Sequence, residues 1–179
     1  MNKKDTVVFD LDGTLLDTLE DLKNSVNYAM TQCGYPEHTL DEVRRYVGNG
    51  ILLLMQRAIP GGKDDPNFDK AFTLFKEHYG KHCNDTTKPY AGIMELLHTL
   101  KENNIKIAIV SNKADFAVKE LNAIYFKDLI LVAIGEKESE GIRKKPAPDT
   151  VIEALKQLGS TAENSVYIGD SDVDIETAR

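Results

Sequence analysis

The sequence predicts an α/β protein in which a Rossmann-like parallel sheet is flanked by helices and carries an all-helical insertion. From Pro89 onward, short β-branched runs alternate with helical periodicity, which is typical of βαβ units. The run at residues 6–9 has the same strand character but stands far upstream, and the intervening segment shows helical periodicity alone. We therefore predict an α/β core of residues 1–16 plus 89–179 and a helical domain of residues 17–88.

The elements are predicted in order from spacing and turn residues. A first strand covers Thr6–Phe9 and ends at Asp10-Leu11-Asp12-Gly13-Thr14, where glycine and polar side chains favour a turn. Apolar residues at spacings of three and four predict four helices in the insertion, at about residues 19–33, 40–47, 51–58 and 68–83. The core continues with helices near residues 93–103, 116–124 and 150–158, and with strands at 105–110, 129–134 and 166–168.

Composition excludes several classes of protein. The formal net charge is −7, and a binder of nucleic acid usually has a basic surface instead. The sequence has no apolar run of about 18 residues that could span a membrane. The N-terminal segment lacks the apolar region of a signal peptide, and Cys33 and Cys83 lie outside any metal-ligand spacing. We expect a cytoplasmic protein that binds neither nucleic acid nor membrane; the oligomeric state is not readable.

Polar side chains with metal-binding and phosphate-binding chemistry follow the predicted strands. Ligands of an open parallel sheet bind at the carboxyl ends of its strands. Carboxylates there suit Mg²⁺, and hydroxyl, amide and ammonium groups suit phosphoryl oxygens. The residues concerned are Asp10 and Asp12 after the first strand, Ser111 and Asn112 after the second, Lys145 before a late helix, and Asp170, Asp172 and Asp174 after the last strand.

Asp10 and Asp12 form a pair separated by one residue. In an extended strand such residues point to the same side, so both carboxylates could face one ligand. Surroundings that separate the pKa values of two carboxyl groups let one stay ionised and attack phosphorus while the other carries a proton.

These residues resemble the four motifs of the haloacid dehalogenase-like superfamily of phosphohydrolases. The motifs agree in order, spacing and position across essentially the whole chain, and they comprise Asp10–Thr14, Ser111-Asn112, Lys145-Pro146 and Gly169–Asp174. The helical insertion lies where this family has a small cap. The sequence is most similar to the phosphoglycolate-phosphatase-like branch, through Gly13–Thr18 with its preceding aspartate, Tyr46–Gly50 and Lys145–Pro148.

The resemblance implies a role for each catalytic residue. Asp10 would be the nucleophile that forms an aspartyl-phosphate. Asp12 would protonate the leaving oxygen and then activate water. Lys145 would neutralise charge between the nucleophile and the phosphate. An aspartate at position 12 points to phosphate-ester hydrolysis or transfer, because the dehalogenases of the superfamily lack it.

The resemblance also implies the binding residues. Ser111 and Asn112 would bind the transferring phosphoryl group. Mg²⁺ would be held by Asp10, the backbone carbonyl of Asp12 and Asp170, with Asp174 supporting them from behind.

Three weaker signals leave alternatives open. The segment Gly48-Asn49-Gly50 is either a loop that contacts substrate or a helix-breaking turn. Lys113 either contacts substrate or is exposed. Asp172 is expected to be a solvated helix cap.

The resemblance implies a Mg²⁺-dependent phosphatase that acts on a small phosphorylated metabolite, with 2-phosphoglycolate as the first candidate. A sugar-phosphate mutase resembling β-phosphoglucomutase would use the same aspartyl-phosphate chemistry. A catalytically silent binding protein is the third alternative, although it would have no chemical need for all of Asp10, Asp12, Ser111, Asn112, Lys145, Asp170 and Asp174.

The sequence ends at Arg179, inside what the pattern predicts to be a core helix. In the strand order of this superfamily, another strand would flank the one that precedes Asp170. We therefore expect that strand to lie at an edge of the sheet, or the chain to be a truncated fragment or the product of an incomplete gene model.

Overall fold

The computed structural model describes residues 4–179. They form two compact units, one containing the described residues up to Leu16 together with Pro89–Arg179, and the other containing Asp17–Lys88. The strands are β1 (Thr6–Phe9), β2 (Leu16–Asp17), β3 (Lys88–Pro89), β4 (Lys106–Ala114), β5 (Val132–Glu136) and β6 (Ser165–Ile168). The helices are α1 (Leu19–Gln32), α2 (Leu40–Tyr46), α3 (Ile51–Ala58), α4 (Phe68–His82), α5 (Ile93–Glu102), α6 (Asp115–Tyr125), α7 (Asp149–Leu158) and α8 (Asp172–Thr177).

The first unit is built on a parallel sheet with strand order β5-β4-β1-β6, which confirms the predicted fold class. Strand β1 pairs with β4 on one side and β6 on the other, and Phe9 stands opposite both Ile109 and Ile168. Strands β1 and β6 therefore end side by side, level with Ile109 of β4. Short strands β2 and β3 pair separately from this sheet.

Side chains of the sheet alternate between two apolar clusters. Phe9 and Ile109 belong to one cluster, which also contains residues of α5 and α6. Val8 and Val110 belong to the other, which contains residues of α7. Because successive residues of a strand point to opposite faces, this alternation places helices on both sides of the sheet.

The two largest errors in the predicted strand boundaries are the start of β5 and the end of β4. Strand β5 begins at Val132 instead of residue 129, because the amide groups of Leu129 and Ile130 donate to the Phe126 carbonyl and curl the chain into a turn. Strand β4 runs on to Ala114, which pairs with Glu136 beyond an irregularity in register. The phosphate-binding candidates Ser111 and Asn112 therefore lie within β4 and do not follow it.

Strand β6 lies at an edge of the four-stranded sheet, the position expected for the strand before Asp170. Val166 and Ile168 each expose 39% of their surface, whereas Tyr167 between them is more buried. The apolar side chains of β6 are therefore the more exposed ones, whereas an apolar strand pattern predicts that they are buried. None of the helices in residues 4–179 combines the length and hydropathy that crossing a membrane requires.

The second unit consists of helices α1 to α4 around their own apolar core. Its centre includes Val26 and Met30 of α1 and Phe75 of α4, all fully buried. The buried carboxylate of Asp21 accepts hydrogen bonds from the backbone and hydroxyl groups of both Thr86 and Thr87, at 2.6–3.1 Å. These bonds tie the first turn of α1 to the segment that follows α4.

Candidate active site

The candidate site forms where β1 and β6 end, beside the last residues of β4 in the first unit. Asp10 directly follows β1, and Ser111 lies in the second half of β4. Asp170 is the second residue after the end of β6. Because these three strands are neighbours and parallel, residues far apart in sequence meet at one edge of the sheet.

Asp10 is a buried carboxylate held by a buried lysine. The Nζ atom of Lys145 lies 2.9 Å from Asp10 Oδ1, and only 2% of the Lys145 side chain is exposed. The Leu11 amide also donates to Asp10 Oδ1, at 2.7 Å. The pKa of Asp10 is raised to about 7, because burial and the charges of Asp174 and Asp12 together outweigh the lowering effect of Lys145.

Asp174 joins this lysine to β6. Its Oδ1 accepts from Lys145 Nζ at 2.7 Å and from the Tyr167 hydroxyl at 2.9 Å, and its Oδ2 accepts from the Ser171 amide at 3.0 Å. Burial raises the pKa of Asp174, but Lys145 and these hydrogen bonds outweigh burial and leave it below its ordinary value. Lys145 is therefore fixed between two aspartates, with an ionised Asp174 behind it.

Two glycines make room for these acids. A Cβ atom at Gly13 would lie 2.3 Å from Asp170 Oδ2, and Gly13 also has a φ of +81°, which side-chain-bearing residues rarely adopt. A Cβ atom at Gly169 would lie 2.3 Å from Asp174 Cγ. Gly13 therefore allows Asp170 to approach the turn after β1, and Gly169 allows Asp174 to approach the segment that follows β6.

Asp12 is paired with a different lysine from Asp10. The Nζ atom of Lys113 lies 2.9 Å from Asp12 Oδ1, and 3% of the Lys113 side chain is exposed. The alternative of a solvent-exposed Lys113 is therefore wrong. Its predicted contact with substrate stays a prediction.

Ser111 and Asn112 are both buried next to these lysines. The Ser111 hydroxyl accepts from the Lys113 amide at 3.2 Å, and Asn112 Nδ2 donates to the Lys145 carbonyl at 3.0 Å. The buried Oδ1 of Asn112 has no hydrogen-bond partner among the described residues. The amide of Asn112 thus braces the lysine backbone, and its predicted contact with phosphate stays a prediction.

Residues 7–179 match the family described as haloacid dehalogenase-like hydrolase. The chain belongs to this family. Phosphatases of the family generally use a divalent metal ion.

Individual relatives indicate which kind of hydrolase this chain resembles. A phosphoglycolate phosphatase of Aquifex aeolicus is 33% identical over 177 residues, covering 97% of this chain and 79% of that protein. A phosphoglycolate phosphatase of Pseudomonas putida is 31% identical over 179 residues, covering 97% of this chain and 65% of that protein. A crystal structure from Lactobacillus delbrueckii subsp. bulgaricus has a TM-score of 0.92 and 35% identity, covering 98% of this chain and 82% of that one. These comparisons confirm the expected family and indicate a phosphatase.

The haloacid dehalogenase-like site contains a group of carboxylates that fits a divalent cation. Asp10, Asp170 and Asp174 each offer an oxygen, and these atoms lie within 4.8 Å of one another. Hard oxygen donors of this kind suit Mg²⁺ or a similar ion. Burial, followed by the charge of Asp174, raises the pKa of Asp170, so a cation here would offset unfavourable negative charge. Asp174 already accepts hydrogen bonds from three residues, which favours the supporting position predicted for it.

Two further predictions concern residues that are not among these carboxylates. The segment Gly48-Asn49-Gly50 belongs to the second unit, where Asn49 Oδ1 accepts from Arg57 Nη2 at 2.9 Å. Its contact with substrate stays a prediction. Asp172 is exposed, but it is not the helix cap, because the Ser171 side chain accepts from the Asp174 amide and caps α8 instead.

Sequence reasoning missed Tyr167, which contacts the site through Asp174. Burial and the neighbouring charges of Asp10 and Asp174 raise its pKa, so the hydroxyl keeps its proton and acts as a donor. Its position two residues before the glycine of the fourth motif is a usable signal, since alternation along β6 places it on the opposite face from Val166 and Ile168.

Proposed function

We propose that this phosphatase hydrolyses a small phosphate monoester with Mg²⁺ as cofactor and 2-phosphoglycolate as the first candidate substrate, through an aspartyl-phosphate at Asp10. The observation that carries the proposal is the division of labour at the end of β1. Asp10 shares Lys145 with Asp174 in the carboxylate cluster, whereas Asp12 pairs with Lys113. Relatives named phosphoglycolate phosphatase support the candidate substrate, and the separate lysine partners of Asp10 and Asp12 support separate roles for the two acids.

In the first step, a carboxylate oxygen of Asp10 forms a bond to phosphorus while the bond from phosphorus to the ester oxygen breaks. Lys145, 2.9 Å from Asp10 Oδ1, is placed to neutralise charge on the transferring group. The Asp12 carboxyl group gives its proton to the leaving oxygen.

In the second step, a water molecule attacks phosphorus of the aspartyl-phosphate and gives a proton to the Asp12 carboxylate. The bond between phosphorus and Asp10 breaks, which releases inorganic phosphate and regenerates the Asp10 carboxylate. Asp12 is thereby restored to its protonated form for the next cycle.

Asp10 and Asp170, with the backbone carbonyl of Asp12, would hold Mg²⁺, and Asp174 would support them. The ion, when bound, stabilises negative charge on the phosphoryl oxygens. Ser111 would position the transferring group from the neighbouring strand, where its hydroxyl accepts from the Lys113 backbone amide.

The test is a phosphate-release assay over a panel of small phosphate esters that includes 2-phosphoglycolate, with Mg²⁺ and after removal of divalent ions by a chelator. We expect stoichiometric phosphate release that requires the metal. Conversion of a sugar phosphate to its isomer without phosphate release would establish the mutase alternative instead. No turnover of any ester by the folded protein would contradict the proposal and favour the catalytically silent alternative.

A further inference from the structure

Lys113 is a buried cation to which the proposed chemistry assigns no role beyond its pairing with Asp12. It lies in β4, directly after the two phosphate-binding candidates, and almost none of its side chain reaches solvent. Lysine side chains are rarely buried to this extent without an ionic partner. Its ammonium group donates to Asp12 Oδ1 at 2.9 Å.

The two carboxylates of the Asp10–Asp12 pair therefore contact two different lysines. Lys145 contacts Asp10 and is shared with Asp174, so it belongs to the nucleophile and the metal ligands. Lys113, which lies on the neighbouring strand β4, contacts Asp12. A second cation is not needed to hold the nucleophile, so its function has to be sought at Asp12.

A hydrogen bond from a buried ammonium restricts the orientation of a carboxyl group. A carboxyl group that transfers a proton must present its oxygen within hydrogen-bond reach of the leaving atom, and small displacements are costly in rate. Asp12 is only partly exposed, and the contact with Lys113 fixes it to a rigid strand instead of to a loop.

We propose that Lys113 is a positioning residue that orients the Asp12 carboxyl group for proton transfer to the leaving oxygen. The inference rests on the proposed function. The proton that moves is the one on Asp12, and Lys113 contributes only its hydrogen bond to Asp12 Oδ1. It acts through Asp12 and not through the phosphoryl group or the substrate's own charge.

The leaving group provides the test. The alkoxides of 2-phosphoglycolate and glycerol 3-phosphate need a proton when they leave, whereas the nitrophenolate of p-nitrophenyl phosphate leaves without one. Lys113→Met removes the ammonium and keeps the length of the side chain. We expect kcat on both alkyl esters to fall by about 10- to 100-fold, and kcat on p-nitrophenyl phosphate by less than about 3-fold, with KM little changed.

Three controls separate positioning from other roles. Lys119→Met removes an exposed lysine of the adjacent helix α6 and should leave all three rates unchanged. Lys113→Arg keeps a cation and should restore part of the rate on the alkyl esters. Asp12→Asn combined with Lys113→Met should be no slower on the alkyl esters than Asp12→Asn alone, because both changes remove one function.

Several outcomes would overturn the inference. Equal losses on alkyl and nitrophenyl esters would mean that Lys113 has only a structural role. A rise in KM confined to 2-phosphoglycolate would mean that it binds the substrate carboxylate. If melting curves show that Lys113→Met is unfolded, Lys113→Gln is measured in its place against the same expectations. A folded wild-type protein that hydrolyses none of the three esters would overturn the proposed function and this inference with it, whereas an active wild type leaves the variants to decide the inference alone.

Discussion

Asp10 in the first unit and Asp21 in the second are both buried aspartates, yet their pKa values move in opposite directions. Burial is the largest influence at both and raises the pKa. At Asp21 the hydrogen bonds from Thr86 and Thr87 outweigh burial, and the pKa falls below its ordinary value. At Asp10 the single lysine does not outweigh burial and the charges of its acidic neighbours, and the pKa rises to about 7.

The opposite pKa shifts indicate that Asp21 stabilises the fold and that Asp10 belongs to the active site. The Asp21 carboxylate is satisfied by four neutral donors of its own unit, so ionisation stabilises the fold. Asp10 stands among carboxylates that repel it, an arrangement that costs stability and is typical of sites completed by a ligand. Substitutions at the two positions should therefore have opposite consequences.

Asp10→Asn gives the largest expected effect on activity. The amide cannot attack phosphorus, so we expect phosphate release to fall by at least about 1,000-fold. The melting temperature should not fall, because the variant removes a buried charge and leaves Lys145 paired with Asp174. Phosphate release and thermal melting measure the two effects. Activity near that of the wild type would show that Asp10 is not the nucleophile.

Gly13→Ala tests the carboxylate cluster by steric means. Its Cβ atom would collide with Asp170 Oδ2, so we expect kcat/KM to fall by about 100-fold and the Mg²⁺ concentration for half-maximal activity to rise. Gly141→Ala is the matched control, because Gly141 has a φ of +80° and no atom within 4 Å of the new Cβ. Both variants should lose about 1 kcal/mol of stability from backbone strain. Equal losses of activity would mean that strain alone is responsible.

Asp21→Asn tests the other half of the comparison. One amide group cannot accept from all the donors of Thr86 and Thr87, so we expect a loss of about 2 kcal/mol in the free energy of unfolding. The pKa of Asp21 lies below its ordinary value of 3.8, so its contribution is complete above that value and is lost as pH falls through the folded pKa.

The stability of the wild type should therefore decline more steeply than that of Asp21→Asn when the pH falls from about 5 to about 3. Denaturant unfolding at several pH values measures this difference, and kcat at neutral pH serves as the control for an intact site. Parallel pH profiles of stability would mean that Asp21 does not remain ionised in the folded protein.

Features encoded locally could be predicted from the sequence. Strand β1 and helix α3 begin and end where the apolar pattern places them, because each is a short run bounded by turn residues. The acids of the first and fourth motifs meet because parallel strands share one end, and strand order follows from the fold class.

Features that depend on pairing across the fold could not be predicted. The contact between Lys113 and Asp12 joins residues 101 positions apart, and no periodicity reports it. The extension of β4 depends on Glu136 of its partner strand, and the late start of β5 depends on a turn around the Phe126 carbonyl. In each case the partner decides the outcome, and the local pattern is compatible with both alternatives.

Tyr167→Phe gives the smallest expected effect. It tests whether a residue that contacts Asp174 serves the active site or only the fold. The variant removes one of the donors to Asp174 and keeps the ring, whose centre lies 5.8 Å from Lys145 Nζ. Asp174 still accepts from Lys145 and Ser171, so we expect kcat to fall by only about 3- to 10-fold.

The Mg²⁺ requirement of the reaction distinguishes the two roles, because it would not change if Tyr167 served only the fold. If Tyr167 holds Asp174 behind the ligand cluster, the Mg²⁺ concentration for half-maximal activity should rise in Tyr167→Phe, while KM for the ester stays the same. Tyr28→Phe, in the second unit, removes a hydroxyl at a partly exposed position and should change neither quantity. A loss of melting temperature in Tyr167→Phe with an unchanged metal requirement would place Tyr167 with Asp21, among the residues that serve the fold alone.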